Sequence, residues 1–171
     1  RSAQATANNT NAIGRSARAE GENATAIGHG SVSSGRNSNA FGSSAKASAE
    51  ASTAVGNSTK ASGISSTATG FNAEASGNFS SAYGNDARAK GNRSVAVGYN
   101  AKAEESATAV GNNANAGAAN AVALGSGNTI TARGGVGIGS SNSVSGIDSG
   151  AFGTDAALRT VDGLCDCGRE G

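Results

Sequence analysis

One histidine and a few scattered carboxylates are the side chains in this chain that could act as general acids or bases. His29 stands directly after Gly28, and no recognisable motif supplies the nucleophile or the partner base that catalysis would need. We therefore interpret His29 as an exposed turn residue. The carboxylates share no register, as a metal site or an acid–base pair would require: Glu20, Glu50, Glu74, Glu104 and Glu105. The sequence predicts no catalytic residue, no metal site and no cofactor, and hence no enzyme.

A glycine-rich segment and two cysteines are the other features with chemical potential. Residues 133–139 are rich in glycine, but they open no predicted helix, so the segment fails the context test for a dinucleotide-binding loop. Cys165 and Cys167 are too close for an easy internal disulfide, and they supply at most two of the roughly four ligands of a structural zinc. Disulfides between copies of the chain are one interpretation. A non-native or disordered tail is the interpretation that the terminal composition favours.

The composition argues against an ordinary globular core. The 171 residues include 27 Gly, no Pro, Met or Trp, and only 4% aromatic residues, and the net charge is +1. This balance gives no electrostatic case for a nucleic-acid or membrane partner, and no apolar run is long enough to span a bilayer. The chain has neither an initiator Met nor a signal peptide, so we expect it to be part of a longer protein.

Glycine recurs with a period of 14 residues, shortened once to 13. These anchor glycines are Gly14, Gly28, Gly42, Gly56, Gly70, Gly84, Gly98, Gly111, Gly125, Gly139 and Gly153. A fixed period over most of a chain indicates a repeat architecture, in which each repeat stacks on its neighbours.

The columns around each anchor glycine alternate as strands do. The residue before the anchor is usually large, at Ile13, Ile27, Phe41, Val55, Tyr83, Val97, Val110, Leu124, Ile138 and Phe152. Two residues before the anchor, alanine stands at Ala26, Ala40, Ala54, Ala68, Ala82, Ala96, Ala109 and Ala123. After the anchor come two turn-type residues, a second short strand with alanines, and a second turn. We predict an all-β fold: a parallel β-solenoid or β-roll of 14-residue coils, about eleven over residues 1–158, followed by a non-repeat tail at 159–171.

The two strands of a coil differ in charge. The strand before each anchor carries no charged residue in any repeat, which indicates that both of its faces are covered. The roll interior covers one face, so other copies of the chain are the economical cover for the second, and we expect a homo-oligomer. Volume complementarity across sheets about 10 Å apart favours large residues inside and the alanine column towards the neighbouring copies, although the opposite assignment is open.

The second strand carries a column of basic residues at Arg18, Lys46, Lys60, Arg88 and Lys102. Glu74 interrupts this column, and Glu20, Glu104 and Glu105 flank it. A binding stripe for an acidic partner is one interpretation, but the mixed sign favours a solvated face.

The repeated hexapeptides resemble a known motif. Residues 23–28 (Asn-Ala-Thr-Ala-Ile-Gly), 93–98 (Arg-Ser-Val-Ala-Val-Gly) and 120–125 (Asn-Ala-Val-Ala-Leu-Gly) are similar to the Asn-Ser-Val-Ala-Ile-Gly repeat of YadA-like heads of trimeric autotransporter adhesins. The resemblance implies a left-handed β-roll, assembly as a homotrimer, and a place on the outer-membrane surface of a Gram-negative bacterium, with stalk and membrane anchor outside these residues. It also implies binding to host extracellular matrix proteins such as collagen, fibronectin or laminin. The chain departs from the family in showing no recognisable neck.

Other functions fit a regular solenoid. A structural spacer that displays another domain is the main alternative. An ice-binding solenoid would present an unbroken threonine array, whereas the column with Thr25, Thr53, Thr67 and Thr108 is interrupted by other residues. A phage fibre with a similar repeat also stays open.

Overall fold

Two parallel sheets, joined by short turns, make up the fold. A computed structural model describes residues 2–158 and 164–167 of the chain. The strands of these residues form two twelve-stranded sheets, in which all strand pairs are parallel. Among the described residues, no helix is long and apolar enough to cross a bilayer. The prediction of an all-β parallel solenoid is confirmed.

The odd-numbered strands form sheet A. They are β1 Gln4–Ala5, β3 Arg18–Ala19, β5 Val32–Ser33, β7 Lys46–Ala47, β9 Lys60–Ala61, β11 Glu74–Ala75, β13 Arg88–Ala89, β15 Lys102–Ala103, β17 Asn115–Ala116, β19 Thr129–Ile130, β21 Ser143–Val144 and β23 Ala157–Leu158.

The even-numbered strands form sheet B. They are β2 Asn11–Ile13, β4 Thr25–Ile27, β6 Asn39–Phe41, β8 Thr53–Val55, β10 Thr67–Thr69, β12 Ser81–Tyr83, β14 Val95–Val97, β16 Thr108–Val110, β18 Val122–Leu124, β20 Val136–Ser140, β22 Gly150–Thr154 and β24 Leu164–Cys167.

Most coils turn through β-turns at both edges. The Ala45 N–H donates to the Gly42 carbonyl at 3.3 Å in one turn, and the Ser66 N–H donates to the Gly63 carbonyl at 3.2 Å in the other. The third residue of such turns is left-handed, with φ of 55° at Asn72, so Asn, Asp, Ser and Gly suit the position. The one 13-residue coil is a residue short in its second turn. The strands before and after that turn still pair in register with their neighbours, so the missing residue shifts neither sheet.

The glycine period has a backbone cause. At Gly84, φ is +132°, a region that side chains disfavour. A Cβ there would also lie 2.5 Å from the carbonyl oxygen of Gly98 in the next coil. The same stacking of anchor on anchor recurs along the roll, so each coil needs glycine at this point.

The interior is made of alanine and other small residues, and the predicted assignment of faces is wrong. The alanine column is fully buried inside a single chain, so it offers no surface to another copy: Ala26, Ala40, Ala54, Ala68, Ala82, Ala96, Ala109 and Ala123. The large residues before the anchors point outward instead. The ends of a β-turn are less than about 7 Å apart, so sheets joined by β-turns lie closer than the usual 10 Å and leave room only for small side chains.

The coils after Gly125 have a different interior. Asn128 and Asn142 are buried where earlier coils carry Ala, Ser or Thr, and Ile130 and Val144 are buried where earlier coils carry Ala or Ser. The Asn128 side-chain amide donates to the carbonyls of Leu124, at 2.7 Å, and Gly139, at 3.0 Å. These bonds hold the first turn of the later coils, which we call the wider coils because their interior takes the larger branched side chains.

Glycine makes room for the branched side chains on the facing strand. Gly137 stands where other coils carry alanine, and a Cβ there would clash with the Cδ1 of Ile130. A Cβ on Gly135 would lie 2.8 Å from the Cγ2 of Ile130. The side-chain volume that Ile130 adds to the interior is thus offset by the missing side chains of Gly135 and Gly137, as close packing requires.

Sheet B continues beyond the last anchor glycine. Strand β24 pairs in parallel with β22, with Cys165 opposite Ala151 and Cys167 opposite Gly153, one 14-residue step further along the chain. This strand lies within the segment 159–171 that the sequence assigns to a non-repeat tail, so the sheet itself does not end at residue 158. The side chains of Cys165 and Cys167 lie outside the described part of the chain.

Candidate functional site

The outer face of sheet B is a long surface without charge. We call it the uncharged face: the outward residues one and three positions before each anchor glycine, up to Phe152. Its central ladder consists of Ile13, Ile27, Phe41, Val55, Thr69, Tyr83, Val97, Val110, Leu124, Ile138 and Phe152. The second column, three positions before the anchors, is formed by Thr, Val, Asn, Ser and Gly.

The ladder is straight because the sheet is in register. Tyr83 lies opposite Val97, which lies opposite Val110, and the same one-to-one pairing runs from Ile13 to Phe152. Ten steps of about 4.8 Å give it a length of about 48 Å. Its side chains are only partly covered in a single chain, with 42% of Tyr83 and 37% of Val110 exposed.

Such a surface is suited to contact with protein. Contiguous exposed apolar surface beyond a few hundred square ångströms marks an interaction site in soluble proteins. Further exposed apolar residues flank the uncharged face in the turns, with Phe71 and Tyr99 on one edge and Ile64, Phe79 and Ile147 on the other. The face can therefore bury apolar area without having to desolvate a charge.

The outer face of sheet A has the opposite character. Arg18, Lys46, Lys60, Arg88 and Lys102 point outward beside buried alanines, at the same position of their strands. Glu74 occupies that position in β11 and is half-buried. The structure thus places the predicted basic column on one face, in register.

The candidates for acid–base chemistry do not converge. His29 is in a turn, its Nε2 is 3.3 Å from an Arg15 guanidinium nitrogen, and that contact is exposed. The carboxylate of Glu20 pairs with Arg18 at 3.0 Å on the surface. Among the described residues, no group of three or more His, Cys, Asp or Glu side chains could hold a metal ion. Residues 133–139 lead into strand β20 rather than a helix.

Sequence reasoning missed the polar ladder of the wider coils. The Asn142 N–H donates to the Oδ1 of Asn128 at 2.9 Å, and the Ala156 N–H donates to the Oδ1 of Asn142 at 3.0 Å. The signal was present as two adjacent asparagines in a column otherwise made of Ala, Ser and Thr. Two β-branched residues two positions later, at Ile130 and Val144, reinforce it.

Comparison with known proteins gives the same reading of the repeats. The family model described as the YadA head domain repeat (two copies) matches residues 5–31, 33–59, 61–87, 80–101, 89–106 and 104–128. No curated protein matches the chain. The matched segments cover most of the coils described above, and the family is one of adhesin heads. This chain therefore belongs to the family of YadA head domain repeats.

Proposed function

We propose that the chain is the non-catalytic head of a trimeric adhesin on the surface of a Gram-negative bacterium. In this proposal three copies pack their uncharged faces around a common axis. The outward surface of the trimer binds host extracellular matrix proteins such as collagen, fibronectin or laminin. The observation that carries the proposal is the uncharged face itself, with its mostly apolar ladder about 48 Å long.

Physical reasoning supports burial of this face between identical copies. Charged side chains are well solvated, so a charged face gains little free energy from being buried. The ladder from Ile13 to Phe152 exposes apolar side chains along its length, and their burial is favourable. Copies related by a rotation axis are not shifted along that axis. Each ladder therefore contacts the same ladder of the neighbouring copies. The family supplies the number three, since a flat face alone would also suit a dimer.

Repetition supports binding over a surface rather than in a pocket. Neighbouring coils present nearly the same groups at each step of about 4.8 Å, and three copies multiply the number of such groups. Weak single contacts then add up through avidity when the ligand is itself long and repetitive. A head that works in this way needs neither a cofactor nor an activated nucleophile.

Binding of immobilised collagen, fibronectin and laminin by biolayer interferometry tests the adhesin function. The chain is compared with V97K/V110K, which places two neighbouring lysines on the uncharged face. Its matched control is T129K/S143K, which places two neighbouring lysines on the outer face of sheet A. We expect the control to bind at least one matrix protein as the unaltered chain does. We expect the V97K/V110K variant to bind about a hundredfold more weakly, because avidity is lost.

Two outcomes would contradict the proposal. A trimeric chain that binds none of the three proteins would favour the structural spacer. Equal binding by the two double variants, with V97K/V110K shown to be monomeric, would mean that the trimer contributes nothing to adhesion.

A further inference from the structure

Four cations of sheet A form a line along the roll, which we call the cationic stripe: Lys46, Lys60, Arg88 and Lys102. Lys46 lies directly opposite Lys60 in register, and Arg88 lies directly opposite Lys102. Glu74 stands between the two pairs, opposite Lys60 on one side and Arg88 on the other. Four steps of about 4.8 Å give the stripe a length of about 19 Å.

The cations of this sheet face outnumber its acids: Glu74 stands within the stripe, and Glu104 and Lys90 stand two residues after Lys102 and Arg88. The ion pairs within 4.0 Å among the described residues join Glu20 to Arg18, and Glu22 and Glu50 to Arg36, so none includes a stripe residue. An oxygen of Glu105 accepts the Asn92 N–H at 3.0 Å in the second turn. Like charges opposite each other in a sheet are destabilising, so the Lys46–Lys60 and Arg88–Lys102 pairs are unfavourable, and Glu74 offsets part of this cost on one side of each pair.

The surroundings of the stripe suit a polymer that carries charges and hydroxyls but no bases. Ser48, Ser62 and Ser76 stand two residues after Lys46, Lys60 and Glu74, so they follow the stripe on the same sheet face. The outward positions of the described sheet A strands carry no aromatic residue. Proteins that hold single-stranded nucleic acid use aromatic side chains to stack the bases, and this face offers none.

We propose that the cationic stripe binds a linear anionic polysaccharide lying along the axis of the roll. Its sulfate or carboxylate groups would sit between the stacked cations of each pair, and the serine hydroxyls would bond to sugar hydroxyls. The polymer would thereby relieve the repulsion within the Lys46–Lys60 and Arg88–Lys102 pairs. The stripe is on the sheet opposite to the uncharged face, so this proposal and the trimer can each fail without the other.

Binding of heparin to the full chain, followed by fluorescence anisotropy at 50 mM and 300 mM salt, tests the proposal. We expect K46Q/K60Q/R88Q/K102Q to bind about tenfold or more weakly at low salt. Replacing the acid within the stripe, in E74Q, should tighten binding instead. The control R36Q removes a cation that pairs with two acids in a turn, and it should bind within about twofold of the unaltered chain. Binding of the unaltered chain should weaken at 300 mM salt, because a linear polyanion releases counterions when it binds.

Two further polymers identify the chemistry. A carboxylate polysaccharide without sulfate shows whether carboxylates suffice, and either result there supports an anionic polysaccharide ligand as long as heparin binds. Duplex DNA that binds more tightly than heparin would overturn the proposal in favour of non-selective charge attraction. Equal heparin affinity of the unaltered chain and the quadruple variant, with the same circular dichroism spectrum and native mass, would also overturn it, as would no binding at 50 mM salt.

Discussion

The coils before Gly125 and the two coils after it stack in the same way, but different side chains fill their interiors. The earlier coils are closed by β-turns and filled by small side chains, mostly alanine. In the later coils, the first turn is held by the side chains of Asn128 and Asn142, and the interior accepts Ile130 and Val144. The turn residues and the residues on the facing strand together decide which side chains can fill this roll.

The largest effect is expected where backbone meets backbone. G84A should lower the free energy of unfolding by about 3 kcal/mol or more, because φ is unfavourable for a side chain and the new Cβ meets the Gly98 carbonyl. G137A in the wider region meets only the end of the Ile130 side chain, so it should cost about 1–3 kcal/mol.

Urea unfolding followed by circular dichroism, at one protein concentration, compares these glycine variants. I130V removes the atom that blocks Gly137, so G137A/I130V should lose less stability than the sum of its single changes. Full additivity of that pair, or a neutral G84A, would contradict the distinction between a backbone and a side-chain obstacle.

Exchanging one column between the two regions should give the next largest effect. I130A empties part of the wider interior and should cost about 2–5 kcal/mol. A89I places the same larger side chain in a narrow coil, where Ala89 is fully buried, and should cost about 1–3 kcal/mol or more by overpacking. Thermal unfolding measures both. A stabilised A89I would show that the narrow coils have spare volume for a larger side chain.

The asparagine ladder should contribute a moderate share of the stability of the wider coils. N142A removes the donors to the Ile138 and Gly153 carbonyls, each at 3.0 Å, and the acceptor for the Ala156 N–H. A loss of about 1–3 kcal/mol is expected, because these backbone groups are left without that partner. The control N57A removes an exposed side-chain amide that accepts from the Ser58 hydroxyl and has no left-handed backbone, and it should stay within about 0.5 kcal/mol. Equal losses of unfolding free energy for the two variants in urea would mean that the buried asparagine ladder does not stabilise the wider coils.

The smallest effect concerns hydroxyls inside the narrow coils. The Ser80 hydroxyl donates to the Gly77 carbonyl at 2.6 Å, so S80A should cost about 1 kcal/mol. The buried hydroxyl of Ser66 has no hydrogen-bond partner, so S66A should be neutral or slightly stabilising. Thermal unfolding of the two variants side by side measures the difference. A larger loss for S66A than for S80A would mean that hydrogen bonding of the hydroxyl does not govern these positions.

The repeat and its strands could be predicted from the sequence because period and alternation are local signals. The anchor glycines set the coil, and the two columns around them predict two strands with opposite character. Volume complementarity at the usual sheet spacing could not assign the interior, because turns such as Gly42–Ala45 hold the sheets closer. The uncharged strand was recognised from the sequence, but the fully buried Ala96 turns Val95 and Val97 outward.

The role of the C-terminal columns was harder to read. Asn128 looks like any turn residue until the structure shows its amide reaching the carbonyls of Leu124 and Gly139. In the sequence Gly135 and Gly137 are only small members of the strand columns, yet their missing side chains make room for Ile130. Such compensation joins residues in different strands, so a column-by-column reading does not reveal it.

Native mass by light scattering tests whether the uncharged face is the interface between copies of the chain. We expect a mass of three chains for the unaltered protein and for T129K/S143K, with or without reductant. We expect a folded single chain for V97K/V110K. A stable monomer of the unaltered chain, or a trimer that survives two lysines at Val97 and Val110, would contradict it.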